Sequence, residues 1–88
     1  MKEQEYTIKM KKGYTEMIVG KPFPVVDWMK TFIRFDEDIK RYVLCEETSG
    51  TFVSIGNTMK EAKANALRII NVVGMARTLK LIEEMKNY

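Results

Sequence analysis

Few side chains in this sequence have the type and spacing that catalysis requires. The 88 residues contain no histidine, which excludes histidine general bases, Ser-His and Cys-His nucleophiles and histidine metal ligands. The single cysteine, Cys45, falls in a predicted strand without an activating base, so we interpret it as a small apolar core residue. The five glycines form neither a P-loop nor a dinucleotide fingerprint. We therefore predict that the protein is not an enzyme.

Two groups of acidic residues resemble metal sites only superficially. Asp36-Glu37-Asp38 could contribute to a hard-cation site, but such a site needs around six oxygen ligands, and a solvated turn explains the run. Asp27 with Glu61 and Lys63 suggests a metal-dependent nuclease, yet that arrangement expects its acid and lysine on a strand, whereas here they open a helix. We predict no metal site and no cofactor.

The basic and aromatic residues are better suited to binding. Lysine and arginine contact phosphates, and aromatic rings stack on bases. The candidate partner- or phosphate-binding residues are Lys9, Lys11, Lys12, Trp28, Arg34, Arg41, Lys60, Lys63, Arg68 and Arg77. A solvated basic face with ordinary core aromatics is the alternative interpretation. The formal charge of +3 and pI near 9.0 permit a nucleic-acid partner without requiring one.

The stretch from residue 41 to residue 57 predicts a β-hairpin. Its two halves are rich in β-branched and aromatic residues, and Ser49-Gly50 between them is a turn-forming dipeptide. A two-residue loop places Leu44 opposite Ile55. This register gives one shared apolar face, which consists of Tyr42, Leu44, Val53 and Ile55.

A capped helix follows this hairpin. The Thr58 hydroxyl can accept from the Glu61 amide while the Glu61 carboxylate reaches back to the Thr58 amide, which is a capping box. Apolar residues then recur at helical spacing. They are Met59, Ala62, Ala66, Ile69, Ile70 and Val73. We expect this helix to cover the apolar face of the hairpin.

The hairpin ends in Gly56-Asn57-Thr58, and the helix opens as T-x-x-E-A from Thr58 to Ala62. This pattern resembles that of HicB-type antitoxins and of small phage and mobile-element proteins. The resemblance covers roughly residues 31–73. It implies a small sheet under helices and a non-catalytic protein of phage or mobile-element origin that binds a protein or nucleic-acid partner.

The N-terminal part predicts another hairpin and a hinge. Residues 6–10 and 14–19 alternate around Lys12-Gly13, and that loop pairs Tyr6 with Val19 and Lys9 with Glu16. Residues 20–24 interrupt the pattern, because each of their two prolines lacks an amide donor. We predict a helical turn or two over residues 24–30 and then a strand.

The last helical region changes phase at Gly74. At about 100° per residue, the stripe before this glycine and the stripe after it lie on nearly opposite sides. Either Gly74 breaks the helix as a left-handed cap, or one helix of about 46 Å serves two cores. The absence of a capping side chain before Met75 favours the continuous helix. The second stripe needs another surface, and we predict self-association through Met75, Leu79, Ile82 and Met85.

Together these patterns predict one α+β domain over residues 1–88. A mainly antiparallel sheet of four or five strands is packed by a long or Gly74-broken C-terminal helix. The predicted parts are a first hairpin (5–20), a proline-rich hinge (20–24), a hairpin–helix core (31–73) and a C-terminal association segment (74–88). The lone cysteine and the lack of a leader or an apolar span predict a cytoplasmic protein.

Small size, absent catalytic groups and a self-associating tail predict a regulatory or inhibitory protein. We expect it to form a dimer and to bind a host or defence protein stoichiometrically. One alternative is a nucleic-acid-binding protein that uses the basic hairpin and helix residues. Another is an oligomeric sponge that sequesters a small nucleotide signal, with Arg34, Arg41, Arg68 or Arg77 on its phosphates.

Overall fold

The computed structural model describes residues 3–9 and 15–86 and has an α+β architecture. Within these ranges the elements are β1 (Gln4–Lys9), β2 (Thr15–Pro22), β3 (Thr31–Asp36), β4 (Arg41–Glu46), β5 (Phe52–Gly56), α1 (Met59–Val73) and α2 (Met75–Lys86). The five strands form an antiparallel sheet in the order β1-β2-β3-β4-β5. This confirms the predicted fold class.

The sheet bends between β2 and β3, so that the β1–β2 hairpin covers one face of the other three strands. β2 pairs with β3 only at Lys21 and Pro22. The ring of Tyr6 stacks on the ring of Phe32 with their centroids 3.9 Å apart. Gly20 lies at the bend, where a Cβ would approach a backbone carbonyl oxygen of β3 to 2.8 Å. The molecule therefore has three layers: the hairpin, strands β3–β5 and the helices.

Two cores lie on opposite faces of strands β3–β5. The core under the hairpin contains Tyr6, Ile8, Ile18, Phe32, Val43, Cys45 and Ile55. The core under α1 contains Ile33, Leu44, Ala62 and Ala66, with Phe23, Val25, Tyr42, Val53 and Met59 packed against it. Successive side chains of a strand point to opposite faces, which is why neighbours in sequence such as Phe32 and Ile33 belong to different cores.

The register of the first hairpin differs from the prediction by one residue. Tyr6 lies opposite Ile18 rather than Val19, and the predicted charged pair of Lys9 is wrong because Lys9 lies opposite Thr15. A slip of one residue exchanges the two faces of a strand. The face with Tyr6 and Ile18 turns inward because it packs against β3. The predicted loop, Lys12-Gly13, lies outside the described residues.

The loop of the second hairpin is longer than the predicted Ser49-Gly50. The Glu46 amide donates to the Thr51 carbonyl at 2.8 Å, and the Gly50 amide donates to the Glu46 carbonyl at 2.9 Å. Residues 47–50 therefore form the loop. The strand pairing at the loop is therefore Glu46 with Thr51, where the two-residue loop predicted Thr48 with Thr51.

A β-bulge in this hairpin, where the register shifts between Leu44 and Cys45, changes which residues of β5 face the helix. Leu44 lies opposite Ser54 rather than Ile55. Ile55 packs into the core under the hairpin, so its predicted position under the helix is wrong. Ser54 faces the helix instead, and its hydroxyl donates to the Ala62 carbonyl at 2.7 Å.

Helix α1 begins at the predicted cap. The Thr58 hydroxyl accepts from the Glu61 amide at 3.0 Å. The Glu61 carboxylate accepts from the Asn57 amide at 3.2 Å rather than from the Thr58 amide, one residue away from the predicted partner. Ala62 and Ala66 are fully buried, and their small side chains let the helix axis approach the sheet closely.

Residues 24–30 form a turn, so the predicted helical turns are wrong. Val26 and Met29 form an isolated β-bridge around Asp27 and Trp28. Met29 is buried in this turn, so its burial does not depend on a helix. The strand predicted to follow is confirmed as β3.

Gly74 breaks the C-terminal helix, so the preference for a continuous helix was wrong. Its φ of 88° and ψ of 155° lie in a region that other residues avoid, outside the predicted left-handed helical region. The Gly74 amide donates to the Ile70 carbonyl at 2.7 Å. Its carbonyl accepts from the Thr78 amide at 3.0 Å and from the Thr78 hydroxyl at 2.7 Å, so glycine itself caps α2.

Candidate protein-binding surface

An apolar groove lies between the start of β5, the end of α1 and helix α2. We call it the α2 groove. It encloses about 140 Å³. Its lining is Met29, Glu46, Thr51, Phe52, Val53, Ile69, Ile70, Val73, Thr78, Leu81 and Ile82. Eight of these eleven side chains are apolar, so the groove suits an apolar protein side chain better than a charged ligand.

The rim of the α2 groove is hydrophobic and open to solvent. Phe52 is 57% exposed, Leu81 is 45% exposed and Ile69 is 43% exposed. Val72, one helical turn from Ile69, is 83% exposed. Single exposed apolar residues are ordinary, but a group around a concave apolar surface is typical of an interaction site.

Helix α2 forms one wall of this groove and is weakly anchored. None of its twelve residues is fully buried, whereas α1 buries Ala62, Ala66 and Ile70. Ile82 and Met85, two of the predicted self-association residues, are half-buried, and Ile82 faces the groove. Met75 and Leu79 are exposed. Self-association through these four residues stays a prediction.

Glu46 is the only fully buried acidic side chain in the described ranges, and it lies at the base of the groove. Its carboxylate accepts from the amide and hydroxyl of Thr48 and from the amide and hydroxyl of Ser49, at 2.7–2.9 Å. A buried carboxylate is tolerated when its oxygens are hydrogen-bonded. This carboxylate therefore shapes the 47–50 loop beside the groove.

A second cavity lies on the other side of α2, next to Trp28. It encloses about 360 Å³. Trp28, Lys30, Leu79, Glu83 and Lys86 are among its lining residues. The Lys86 ammonium lies 3.5 Å from the Glu83 carboxylate, so charges of both signs meet there. Trp28, one of the predicted binding residues, is half-buried and lines this cavity, and its role in binding stays a prediction.

The remaining predicted basic residues lie on several elements. Lys60, Lys63 and Arg68 are exposed on α1, and Arg77 is exposed on α2. Arg41 is exposed at the start of β4, and the Arg68 guanidinium donates to Asn65. Lys9 ends β1, and Lys11 and Lys12 lie outside the described residues. Their predicted role in partner or phosphate binding stays a prediction.

Arg34 forms an ion pair within the protein. Its guanidinium donates to the Asp36 carboxylate at 3.1 Å, although its Nε has no hydrogen-bond partner. Burial alone would raise the pKa of Asp36, but bonds from the Asp38 and Ile39 amides and from Arg34 outweigh it and lower this pKa. Asp36 therefore organises the β3–β4 turn.

Cys45 and the acidic residues are the other groups with potential reactivity. Burial raises the pKa of the Cys45 thiol to about 11, although the nearby Arg34 partly opposes the shift. Cys45 is thus a protonated core residue at neutral pH. No group of three or more histidine, cysteine or acidic residues within the described ranges could hold a metal ion.

A second apolar surface lies on the outer face of the β1–β2 hairpin. Met17 is 59% exposed and Val19 is similarly exposed. Val19 and Phe35 line a shallow cavity that also contains Glu3 and Lys21. This surface differs from the α2 groove because its apolar residues are interspersed with charged ones.

The sequence reasoning missed Phe52, Val72, Leu81 and Glu46 as site residues. Leu81 falls outside the stripe of Met75, Leu79, Ile82 and Met85 that drew attention to α2. Phe52 was expected only as part of a strand. A signal did exist: helix residues that do not fit the main apolar stripe, such as Val72 and Leu81, mark a second apolar side.

Among the described residues, no helix combines the length and the apolarity that crossing a membrane would need. Comparison with known proteins adds no candidate site or function: no family model, no curated protein and no solved structure matches this chain.

Proposed function

We propose that this protein is a non-enzymatic regulatory or inhibitory protein that acts by stoichiometric binding to another protein, through the α2 groove. The observation that carries the proposal is the concave apolar groove with the exposed rim residues Phe52, Ile69 and Leu81. Protein surfaces of this kind gain binding free energy when a partner removes apolar area from water.

The state of the polar side chains supports binding over catalysis. Glu46 is saturated by donors from its own loop, and Asp36 is held by Arg34 and two amides. Cys45 is buried with a raised pKa. A general base or nucleophile needs an open position beside a substrate, and none of these three groups offers one.

The identity of the partner rests on the sequence resemblance. Residues 31–73 resemble HicB-type antitoxins and small phage and mobile-element proteins, which favours a host or defence protein as the partner. An apolar rim around the groove is a poor match for phosphates, so nucleic-acid or nucleotide binding is the less favoured alternative.

Differential capture tests the proposal. Three proteins are immobilised and incubated with a lysate of host cells. They are the wild type, the Phe52→Glu variant and the Met17→Glu variant. Phe52 and Met17 are matched controls, because they are 57% and 59% exposed and both lie in or next to strands. We expect Phe52→Glu to lose a partner that Met17→Glu retains. Native mass spectrometry of the recovered complex should give a fixed integer ratio.

Three outcomes would contradict this function. Capture that is unaffected by Phe52→Glu would remove the groove from the interface. Excess absorbance at 260 nm in the purified protein, lost at high salt, would favour the nucleic-acid alternative. Turnover of a substrate by the purified chain would refute the non-enzymatic assignment.

A further inference from the structure

Helix α2 carries a stripe of exposed residues that runs along the rim of the α2 groove. Arg77, Leu81 and Glu84 are all exposed, and their spacing of four and then three residues places them on one side of a helix. This side is distinct from the half-buried side that contains Ile82 and Met85. Within residues 3–9 and 15–86, neither Arg77 nor Glu84 has an ion-pair partner.

The charges on this stripe are self-complementary in only one orientation. Arg77 lies near the start of α2 and Glu84 near its end, so two parallel copies would oppose like charges. An antiparallel pair related by a two-fold axis instead places Arg77 of each copy opposite Glu84 of the other, forming two equivalent ion pairs. The same register places Lys80 beside Leu81, where the lysine stem covers the leucine and its ammonium stays in water.

The apolar surface beside this stripe continues onto α1 and β5. Leu81 is both the middle residue of the stripe and part of the rim of the α2 groove, together with Ile69 and Phe52. A standard interface takes about 800 Å² from each partner, which is roughly an eighth of the 6144 Å² accessible surface of this chain. The exposed side chains of Phe52, Ile69 and Leu81 would contribute apolar area to such an interface, beside the charges of α2.

We propose that the occupant of this face is a second copy of the chain, packed with α2 antiparallel to α2 across a two-fold axis and with Arg77 paired to Glu84 of the second copy. This inference rests on the proposed function, because it names the first partner of the α2 groove. The dimer covers the groove, so a different protein partner binds the groove only when it displaces the second copy.

A charge-exchange experiment tests the arrangement on the full chain. In Arg77→Glu, positions 77 and 84 are both acidic, and in Glu84→Arg they are both basic. A dimer of either variant therefore contains two repulsive pairs. We expect the dimer dissociation constant of each to rise by at least about tenfold. Mixing the two variants restores two attractive pairs, so a 1:1 heterodimer should form with close to wild-type affinity.

Analytical ultracentrifugation over a range of concentrations measures these affinities, and circular dichroism checks that each variant folds. Lys60→Glu, on the exposed side of α1, is the matched control for a charge reversal and should dimerise like the wild type. A monomeric wild-type chain at millimolar concentration overturns the inference. Unchanged dimers of both single variants, or a mixture that stays monomeric, also overturn it.

The two proposals fail in different ways. If the chain is a monomer yet Phe52→Glu abolishes capture of a partner, the proposed function stands and the dimer does not. If the charge exchange restores the dimer but no partner depends on Phe52, the dimer stands and the stoichiometric binding function fails.

Discussion

The helices α1 and α2 follow each other across one glycine, yet only α1 is anchored in the core. α1 buries Ala62, Ala66 and Ile70 and is tied to β5 by two hydrogen bonds, from Ser54 to the Ala62 carbonyl and from Asn65 to the Ile55 carbonyl. α2 buries no residue completely. Both helices are amphipathic, so amphipathicity alone does not determine how much of a helix becomes buried. What decides it is whether a complementary surface lies beneath the helix.

This contrast has a consequence for function. An anchored helix completes the core and leaves little for a partner, whereas a weakly anchored helix beside an open apolar groove can contribute to an interface. Regions of low local stability are also those from which binding elements are drawn. The proposed dimer and the proposed partner site both lie at α2 for this reason.

The largest effect should come from shortening the same residue type in each helix. Ile70→Ala in α1 removes a buried side chain and should lower the free energy of unfolding by about 2–5 kcal/mol. Ile82→Ala in α2 removes a half-buried side chain and should cost less than about 2 kcal/mol, the lower end of that range. Urea titration followed by circular dichroism measures both values. Equal losses would contradict the contrast between the helices.

The next largest effect should come from Glu46 under the groove. Glu46→Gln replaces one carboxylate oxygen by an amide group, which would face the donors of Thr48 and Ser49. We expect a loss of about 1–3 kcal/mol in the free energy of unfolding. The matched control is Glu47→Gln, next to it in sequence and exposed, which should change stability little. If the two variants are equally stable, the carboxylate does not organise the loop.

A smaller but more local effect should follow from Gly74→Ala. A Cβ at this position would meet no neighbouring atom within 4 Å, so the cost comes from the backbone angles alone. We expect a loss of about 1–3 kcal/mol. Hydrogen exchange should show faster exchange of the α2 amides with little change in the α1 amides before Ile70. Uniform acceleration in both helices would mean that α1 and α2 form one cooperative unit.

The smallest effect should come from Asp36, which lies at the β3–β4 turn. Asp36→Asn should lower the free energy of unfolding by about 1 kcal/mol at pH 7. The loss is small because the hydrogen bond from Arg34 to the Asp36 carboxylate is partly exposed to solvent. The pKa of Asp36 is lower in the folded protein than in the unfolded chain. Its contribution to stability is therefore complete above the ordinary carboxyl pKa near 4, and it is lost as the pH falls through the lower pKa of the folded protein. The difference between wild type and variant should therefore shrink below about pH 4. A difference that persists at pH 2, or an equal loss in Asp38→Asn, would contradict this assignment.

The predicted strands and the start of α1 were largely correct because their signals are local. Alternation of apolar residues predicted β1 and β2, β-branched and aromatic composition predicted β4 and β5, and Thr58 with Glu61 marked the helix start. The errors were of one residue, in the register of both hairpins. They moved Ile55 and Val19 to the wrong face, because a strand's side chains alternate and the pairing partner decides which set is inside.

The site was harder to predict than the fold. The basic residues were candidates because of their chemistry, whereas the groove is formed by Phe52, Ile69 and Leu81, three residues from three different elements. No local pattern joins them. Their proximity depends on the angle at which Gly74 turns α2 back toward the sheet, and the sequence favoured a continuous helix instead.

By itself, the sequence determined the α+β class, the approximate elements, the cap of α1 and the absence of histidine chemistry. These properties depend on residue types and on spacings within a few positions, where backbone geometry leaves few choices. Only the tertiary structure decided that the first hairpin folds over the sheet, that Ile55 and Ser54 exchange faces and that α2 leaves an apolar groove open. Those properties depend on packing between distant segments, in which one bend or one β-bulge changes which side chains meet.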